Sequence, residues 1–174
     1  MARSRSPRQE IAVVAAVVAA VVVGASLVGW WLGEAHRSAD APWRVARVDD
    51  GDTIEVVRGS QTDVIRLLGI DTPETHHPTK PVQCFGPEAS AFTTRRLTGR
   101  LVRLESDVEE RDIYGRRLAY VIVGGRRFND ELLRRGYARL LVIAPNRAHG
   151  RELLDAELEA RHHRRGLWSS CEPS

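Results

Sequence analysis

Between Trp43 and Leu68 the chain passes through three short β-forming runs cut by two turn signals, a pattern that commits it to a small antiparallel sheet. Trp43 to Val48 and Thr53 to Arg58 flank Asp49-Asp50-Gly51-Asp52, where Asp-Gly marks a tight turn. Gly59-Ser60 marks the next turn, and Thr62 to Leu68 continues as a third strand. In that strand Val64, Arg66 and Leu68 fall on one side and Ile65 and Leu67 on the other. An arginine that shares a face with apolar side chains needs an anionic partner or a ligand.

The remainder alternates helix and strand. Residues 71–85 carry Pro73, Pro78 and Pro81 with no period, a loop of the length that tends to be functional. Pro87 opens a helix that Gly99 stops, with Ala91, Arg95 and Thr98 on one stripe and Phe92 and Arg96 beside it. Leu101 to Glu105 and Leu118 to Val123 read as strands, the second closed by Gly124-Gly125. Asn129 is placed to cap a helix over Asp130 to Arg135, which Gly136 ends. Ala138 to Ile143 is strand-like. Arg151 to Arg165 is a charged helix with Leu153, Leu154, Ala156, Leu158 and Ala160 as its apolar positions. Five short strands with a helix between the third and fourth fit an α+β, mainly β, fold. The architecture expected is a five-stranded Greek-key barrel of the oligonucleotide-binding (OB) type with three helices. A generic α+β sandwich fits the same string.

The N-terminal segment stands apart. Ile11 to Leu32 is an uncharged Val- and Ala-rich stretch ending in Trp30 and Trp31. Its length matches the roughly 20 apolar residues of a membrane-spanning helix, and paired tryptophans suit the interface. Basic residues precede it, which places the N-terminus in the cytoplasm and residues 34–174 outside. A signal peptide cleaved near Ala39-Asp40-Ala41 is the alternative. The expected layout is a basic flank over 1–10, the anchor over 11–33, a linker over 34–42, the folded domain over 43–168 and a tail over 169–174. Either reading exports the domain, as a single-pass plasma-membrane protein or as a secreted one. In an oxidising compartment Cys84 and Cys171 can form a disulfide that ties the tail to a loop.

Charge narrows the way anions can be bound. Residues 1–10 supply +2 of the chain's formal charge of +3, leaving +1 for everything after them. A broad basic footprint is weak here, so anion binding should come from a local cluster. Arginine dominates: Lys80 is the sole lysine. Against that background three motifs combine acid and arginine: Asp50-Gly51-Asp52-Thr53, Arg66 through Thr75, and Asp112-Ile113-Tyr114-Gly115-Arg116. If the strands carrying Asp52 and Asp71 pair, both carboxylates reach one rim of the barrel. With a backbone carbonyl and waters they make an oxygen site suited to Ca²⁺ or Mg²⁺. Glu74, three residues on, is placed to take a proton from an attacking water. Arg66 and Arg116 can clamp phosphate oxygens. Tyr114 can donate to a second phosphate. Each motif alone has an ordinary explanation as a turn or a solvated charge. The pairs His76-His77 and His162-His163 lack zinc-ligand spacing.

The combination resembles the staphylococcal-nuclease-like family, the thermonucleases, over about Val48 to Trp168. It includes Val48 through Thr53, Arg66 through Glu74 and Gly86-Pro87-Glu88-Ala89-Ser90-Ala91-Phe92. It continues through Asp112 to Arg116, Leu118-Ala119-Tyr120 and Gly166-Leu167-Trp168. The resemblance implies an OB-type barrel and a monomeric, Ca²⁺-dependent endonuclease. The implied enzyme hydrolyses single-stranded or denatured DNA and RNA to 3′-phosphate ends. It implies Asp52, Asp71 and the Thr72 carbonyl as metal ligands and Glu74 as general base. Arg66 and Arg116 become the phosphate-binding pair, with Tyr114 and Lys80 as substrate contacts. Two departures stand out. Ile113 replaces the family's lysine before the tyrosine, and Leu140 to Ala144 lacks the two tyrosines that flank the base. Base stacking contributes about 1–3 kcal/mol, so weaker nucleotide binding or a differently built base pocket is expected. A non-catalytic nucleic-acid- or partner-binding module is the alternative function. Retention of every matched acid and arginine argues against it.

Overall fold

A computed structural model describes residues 41–75 and 81–171. The stretch expected to anchor the chain, together with His76, His77 and Lys80, lies outside the described residues. Among those described, no helix is long and apolar enough to cross a membrane.

Strands β1 (Trp43–Asp50), β2 (Thr53–Arg58) and β3 (Gln61–Leu67) form an antiparallel meander. Helix α1 (Gly86–Leu97) follows the proline-rich loop, and β5 (Leu101–Glu105) returns to pair with β1. β6 (Arg117–Val123) pairs antiparallel with β5 and parallel with β3. That last pairing closes the sheet into a five-stranded barrel in the order β1-β2-β3-β6-β5. Closure rules out an open sandwich and leaves no free barrel edge. Two register shifts along β1, at Val45/Arg47 and Val48/Asp50, supply the bends that closure needs. Alternation fills the interior: Val45, Ile54, Val56, Ile65, Leu67 and Val102 are buried. Each isoleucine so buried contributes about 1.5–3 kcal/mol of transfer free energy.

The third strand is shorter than the β-run in the sequence. At Gly69 the chain turns with φ +73°, and β4 (Gly69–Asp71) leaves the barrel to pair with β8 (Arg139–Leu141). A side chain at Gly69 would overlap Leu153, so both the angle and the close approach require glycine. Ala138 to Ile143 thus gives a three-residue strand outside the barrel. The remaining elements are β7 (Arg126–Arg127), α2 (Phe128–Arg134), α3 (Gly150–His162) and a one-turn α4 (Leu167–Ser170). The three expected helices are present, with α4 in addition.

Two local expectations are corrected. Asn129 is no helix cap: it sits inside α2, fully buried, and works as a staple. Its Nδ2 donates to Leu68 O (2.8 Å), and its Oδ1 accepts from Val121 N (3.0 Å). The corner between β3 and β4 is thereby tied to β6. On α1 the core stripe is Ala89, Phe92, Thr93 and Leu97, one step from the stripe expected through Ala91 and Arg95. Those two face water because the barrel approaches from the other side. On α3 Leu153, Ala156 and Ala160 are buried, while Leu154 and Leu158 are exposed.

Candidate active site

The tight turn between β1 and β2 brings Asp52 under the loop that follows β4. Gly51 is demanded there, since any Cβ would lie within 3 Å of the Thr72 side chain. Thr93 of α1 fixes the turn from below by donating its hydroxyl to Gly51 O (2.7 Å). Asp52 is 7% exposed. Its Oδ2 accepts from Thr72 N (2.9 Å) and Thr72 Oγ1 (3.1 Å), and its Oδ1 accepts from Thr53 Oγ1 (3.0 Å).

Arg66 completes the cluster. One of its amino groups, Nη1, donates to the carbonyls of Leu67 and Ile70, both at 2.9 Å. The other, Nη2, lies 3.3 Å from Asp52 Oδ2 and 3.0 Å from Asp71 Oδ1. The partner demanded by an arginine on a partly apolar face is therefore a pair of carboxylates aimed at one point. Asp71 is the exposed member of that pair. Burial, then the neighbouring Asp52, raises its carboxyl above the usual range, and Arg66 offsets part of this.

Glu74 sits one step further along the loop. Its backbone is clasped by Gln83: Glu74 N donates to Gln83 Oε1 and Gln83 N donates to Glu74 O, both at 3.0 Å. Burial first, and Glu74 second, raise the Asp50 carboxyl. Asp50 also accepts from Gly51 N (2.8 Å) and Thr75 Oγ1 (2.8 Å). Asp50 is visible in the sequence as part of the Asp50–Thr53 motif, whereas Thr93 and Gln83 carry no such mark. The Asp-Gly-Asp spacing was the available signal for Asp50. Thr93 and Gln83 act through contacts at long sequence separation and leave no local mark.

Arg116 stands apart from this cluster. It is bound to Asp112 through Nε (2.7 Å), and its guanidinium lies 5.4 Å from the Tyr114 ring centroid. The register of β3 with β6, Arg66 opposite Leu118, still brings Arg116 to the same end of the barrel as Arg66. Tyr114 and Ile113 are strongly exposed there. Cys84 and Cys171 are joined in a disulfide with their Cα atoms 5.9 Å apart, and they line a cleft with Asp71 and Arg139.

The donor set fits an oxygen-ligated cation. Among the described residues no three His, Cys, Asp or Glu form a ready-made cage. Two carboxylates converge on one positive group, however, with Asp50 and Glu74 adding negative charge close by. A hard cation answers that excess of acid.

The rim thus sets two convergent carboxylates against a held arginine. The sequence profile described as "Staphylococcal nuclease homologue" matches residues 64–170. The chain is 44% identical over 128 residues to a thermonuclease of Staphylococcus hyicus, covering 74% of this chain and 76% of that one. It is 44% identical over 124 residues to a thermonuclease of Staphylococcus intermedius, covering 71% and 74%. It is 38% identical over 125 residues to endonuclease YncB of Bacillus subtilis (strain 168), covering 71% of this chain and 59% of that one. The chain belongs to the staphylococcal nuclease family.

Proposed function

We propose that this chain is a Ca²⁺-dependent endonuclease that hydrolyses DNA and RNA to 3′-phosphate ends outside the membrane. The observation that carries the reading is the meeting of Asp52, Asp71, Thr72 and Arg66 at one rim, beside Glu74. The endonuclease and thermonuclease relatives support the reaction class. Asp52, Asp71 and the Thr72 carbonyl would hold the cation. When bound, it supplies positive charge that favours attack on an anionic phosphodiester.

The protein's own groups do the rest. Glu74 takes a proton from the attacking water as the water oxygen bonds to phosphorus. Arg66 and Arg116 hold the non-bridging oxygens and stabilise the charge that develops on them. The bond to the 5′ oxygen breaks, that oxygen takes a proton from solvent, and the phosphate stays on the 3′ side. Gln83 holds the Glu74 backbone, which supports a base positioned before substrate arrives. Tyr114 and Lys80 contact flanking phosphates.

Display outside the membrane rests on the apolar Ile11–Leu32 stretch, with a secreted, cleaved form as its variant. The Cys84–Cys171 bridge supports export, because such bonds persist outside the reducing cytoplasm.

The test is cleavage of denatured DNA by the full chain with Ca²⁺ or with chelator, alongside Glu74→Gln. Cleavage needs Ca²⁺, leaves 3′-phosphates and falls at least about 10²-fold in the variant, the usual scale for removing a general base. Undiminished activity in Glu74→Gln removes that residue from the mechanism.

A further inference from the structure

Away from the acidic rim, the far end of β6 opens into a trough of about 1050 Å³. Helix α1 contributes Arg96 and, just beyond it, Arg100. β7 contributes Arg126 and Arg127. Helix α2 adds Arg134 and Arg135, and Arg165 closes the wall beyond α3. Three carboxylates, Asp130, Glu131 and Glu159, line the same space. The lining therefore carries a formal +4, against +3 for the whole chain, so everything outside the trough sums to −1. Seven of the chain's 26 basic residues line this one concavity.

The acids order the arginines without neutralising them. Glu131 holds Arg96 in a two-pronged contact (3.1 and 2.7 Å) and also meets Arg135 at 3.3 Å. Glu159 holds Arg134 (2.8 Å) and Arg165 (2.7 Å). Two guanidinium groups share each of these two carboxylates, while Asp130 pairs with Arg127 alone (2.6 Å). Arg100 and Arg126 are exposed, and among the described residues their side chains make no ion pair or hydrogen bond. The lining holds no aromatic side chain, so the trough reads phosphate and not base.

We propose that this trough is an exosite for the sugar–phosphate backbone of a nucleic-acid strand, gripping it away from the bond being cut. The proposal rests on the nuclease reading and gives it a source of substrate affinity. An acid-rich rim repels a polyanion, and the segment Leu140 to Ala144 has no aromatic to stack on a base. Phosphate contacts in the trough make up for both. A strand of β6 separates the two places: Arg116 precedes it and Val123 ends it, about 20 Å apart at strand rise. Only a substrate several nucleotides long reaches both. A concave trough suits a strand better than the flat array of anionic lipid headgroups.

The experiment compares the full chain in neutral detergent with its Arg100→Ala/Arg126→Ala variant. Substrates are single-stranded DNA of roughly 30 nucleotides and of about four, the shorter being within a minimal binding footprint. For the long substrate the variant raises KM about tenfold with kcat unchanged. The slope of log KM against log salt becomes shallower by about 1.4, two lost phosphate contacts at about 0.7 each. Cleavage of the short substrate is unaffected. Equal loss on both substrates, or no loss on either, overturns the proposal. So does loss of binding to phosphatidylserine vesicles with DNA kinetics intact, which assigns the trough to lipid. If the parent chain cuts neither substrate, the nuclease reading fails separately. Anisotropy of the long oligonucleotide in chelator then still decides: weaker binding by the variant supports the exosite, equal binding rejects it.

Discussion

Arg66 gives one amino group to the carbonyls of Leu67 and Ile70 and lays the other between Asp52 and Asp71. Its need for a partner was legible, because strand alternation placed it beside Val64 and Leu68. The partner's geometry was not, because Asp52 reaches it through a turn whose depth depends on Thr72 and Thr93. Asn129 is the opposite case. Its type and position signal a helix cap, and only the packed barrel reveals a buried staple holding Leu68 and Val121. Tyr120 carries the pH prediction at this scale. It is 1% exposed and donates to Asp107 Oδ2 (3.2 Å). Burial, and then Asp107, push its hydroxyl up to about 12. An unfolded chain releases that proton near pH 10 while the folded chain keeps it. Stability therefore falls as pH rises from about 10 and levels off above about 12. Tyr120→Phe removes the step near pH 12 from the tyrosinate absorbance titration and abolishes that part of the stability loss. A titration unchanged by the substitution contradicts the assignment.

The elements of the barrel were readable because each β run is short and bounded by Gly or Asp-Gly. The break after Leu67 was not, since Leu68 and Ile70 continue the apolar pattern across it. The corner exists because Gly69 adopts a left-handed angle and β8 lies ready to pair with β4. Buried Glu157 secures that outer ribbon by accepting from Leu140 N at 3.0 Å. The faces of α1 and α3 were only partly readable, since apolar residues occur on both sides and packing decides which are covered. The loop bearing Glu74 is pinned at two depths. Gln83 clasps it directly, and next to Gln83 the Cys84–Cys171 bridge joins the loop to the end of α4. The bridge closes a segment of 87 residues. Replacing both cysteines with serine lowers unfolding stability by about 2–4 kcal/mol, read from the urea midpoint and slope. An unchanged midpoint would mean that the bridge adds nothing to the fold.

Across the whole molecule, charge is sorted by place. Acid collects at the rim where β1, β2 and β4 end, and arginine collects in the trough beyond β6. The closed barrel lies between the two, and β3 and β6, which bring Arg66 and Arg116 to one end, are its closing pair. Net charge could tell that binding must be local but not where, because the arginines of the trough come from four stretches of chain. Candidate site residues could be named because acid, glycine and arginine recur in short motifs. Their joint geometry needed the parallel β3–β6 pairing, which no local pattern encodes. Under the proposed function Asp52 and Asp71 hold a divalent cation beside Arg66, and cleavage depends on it. Calorimetric titration of the full chain with Ca²⁺, set against Asp71→Asn, tests this most directly. Asp71 is the exposed partner, so the variant keeps the fold. One Ca²⁺ site is expected in the parent chain, with affinity and DNA cleavage falling together by tenfold or more in the variant, the scale of one lost charged ligand. Undiminished Ca²⁺ affinity in Asp71→Asn, or cleavage that persists in chelator, would contradict it.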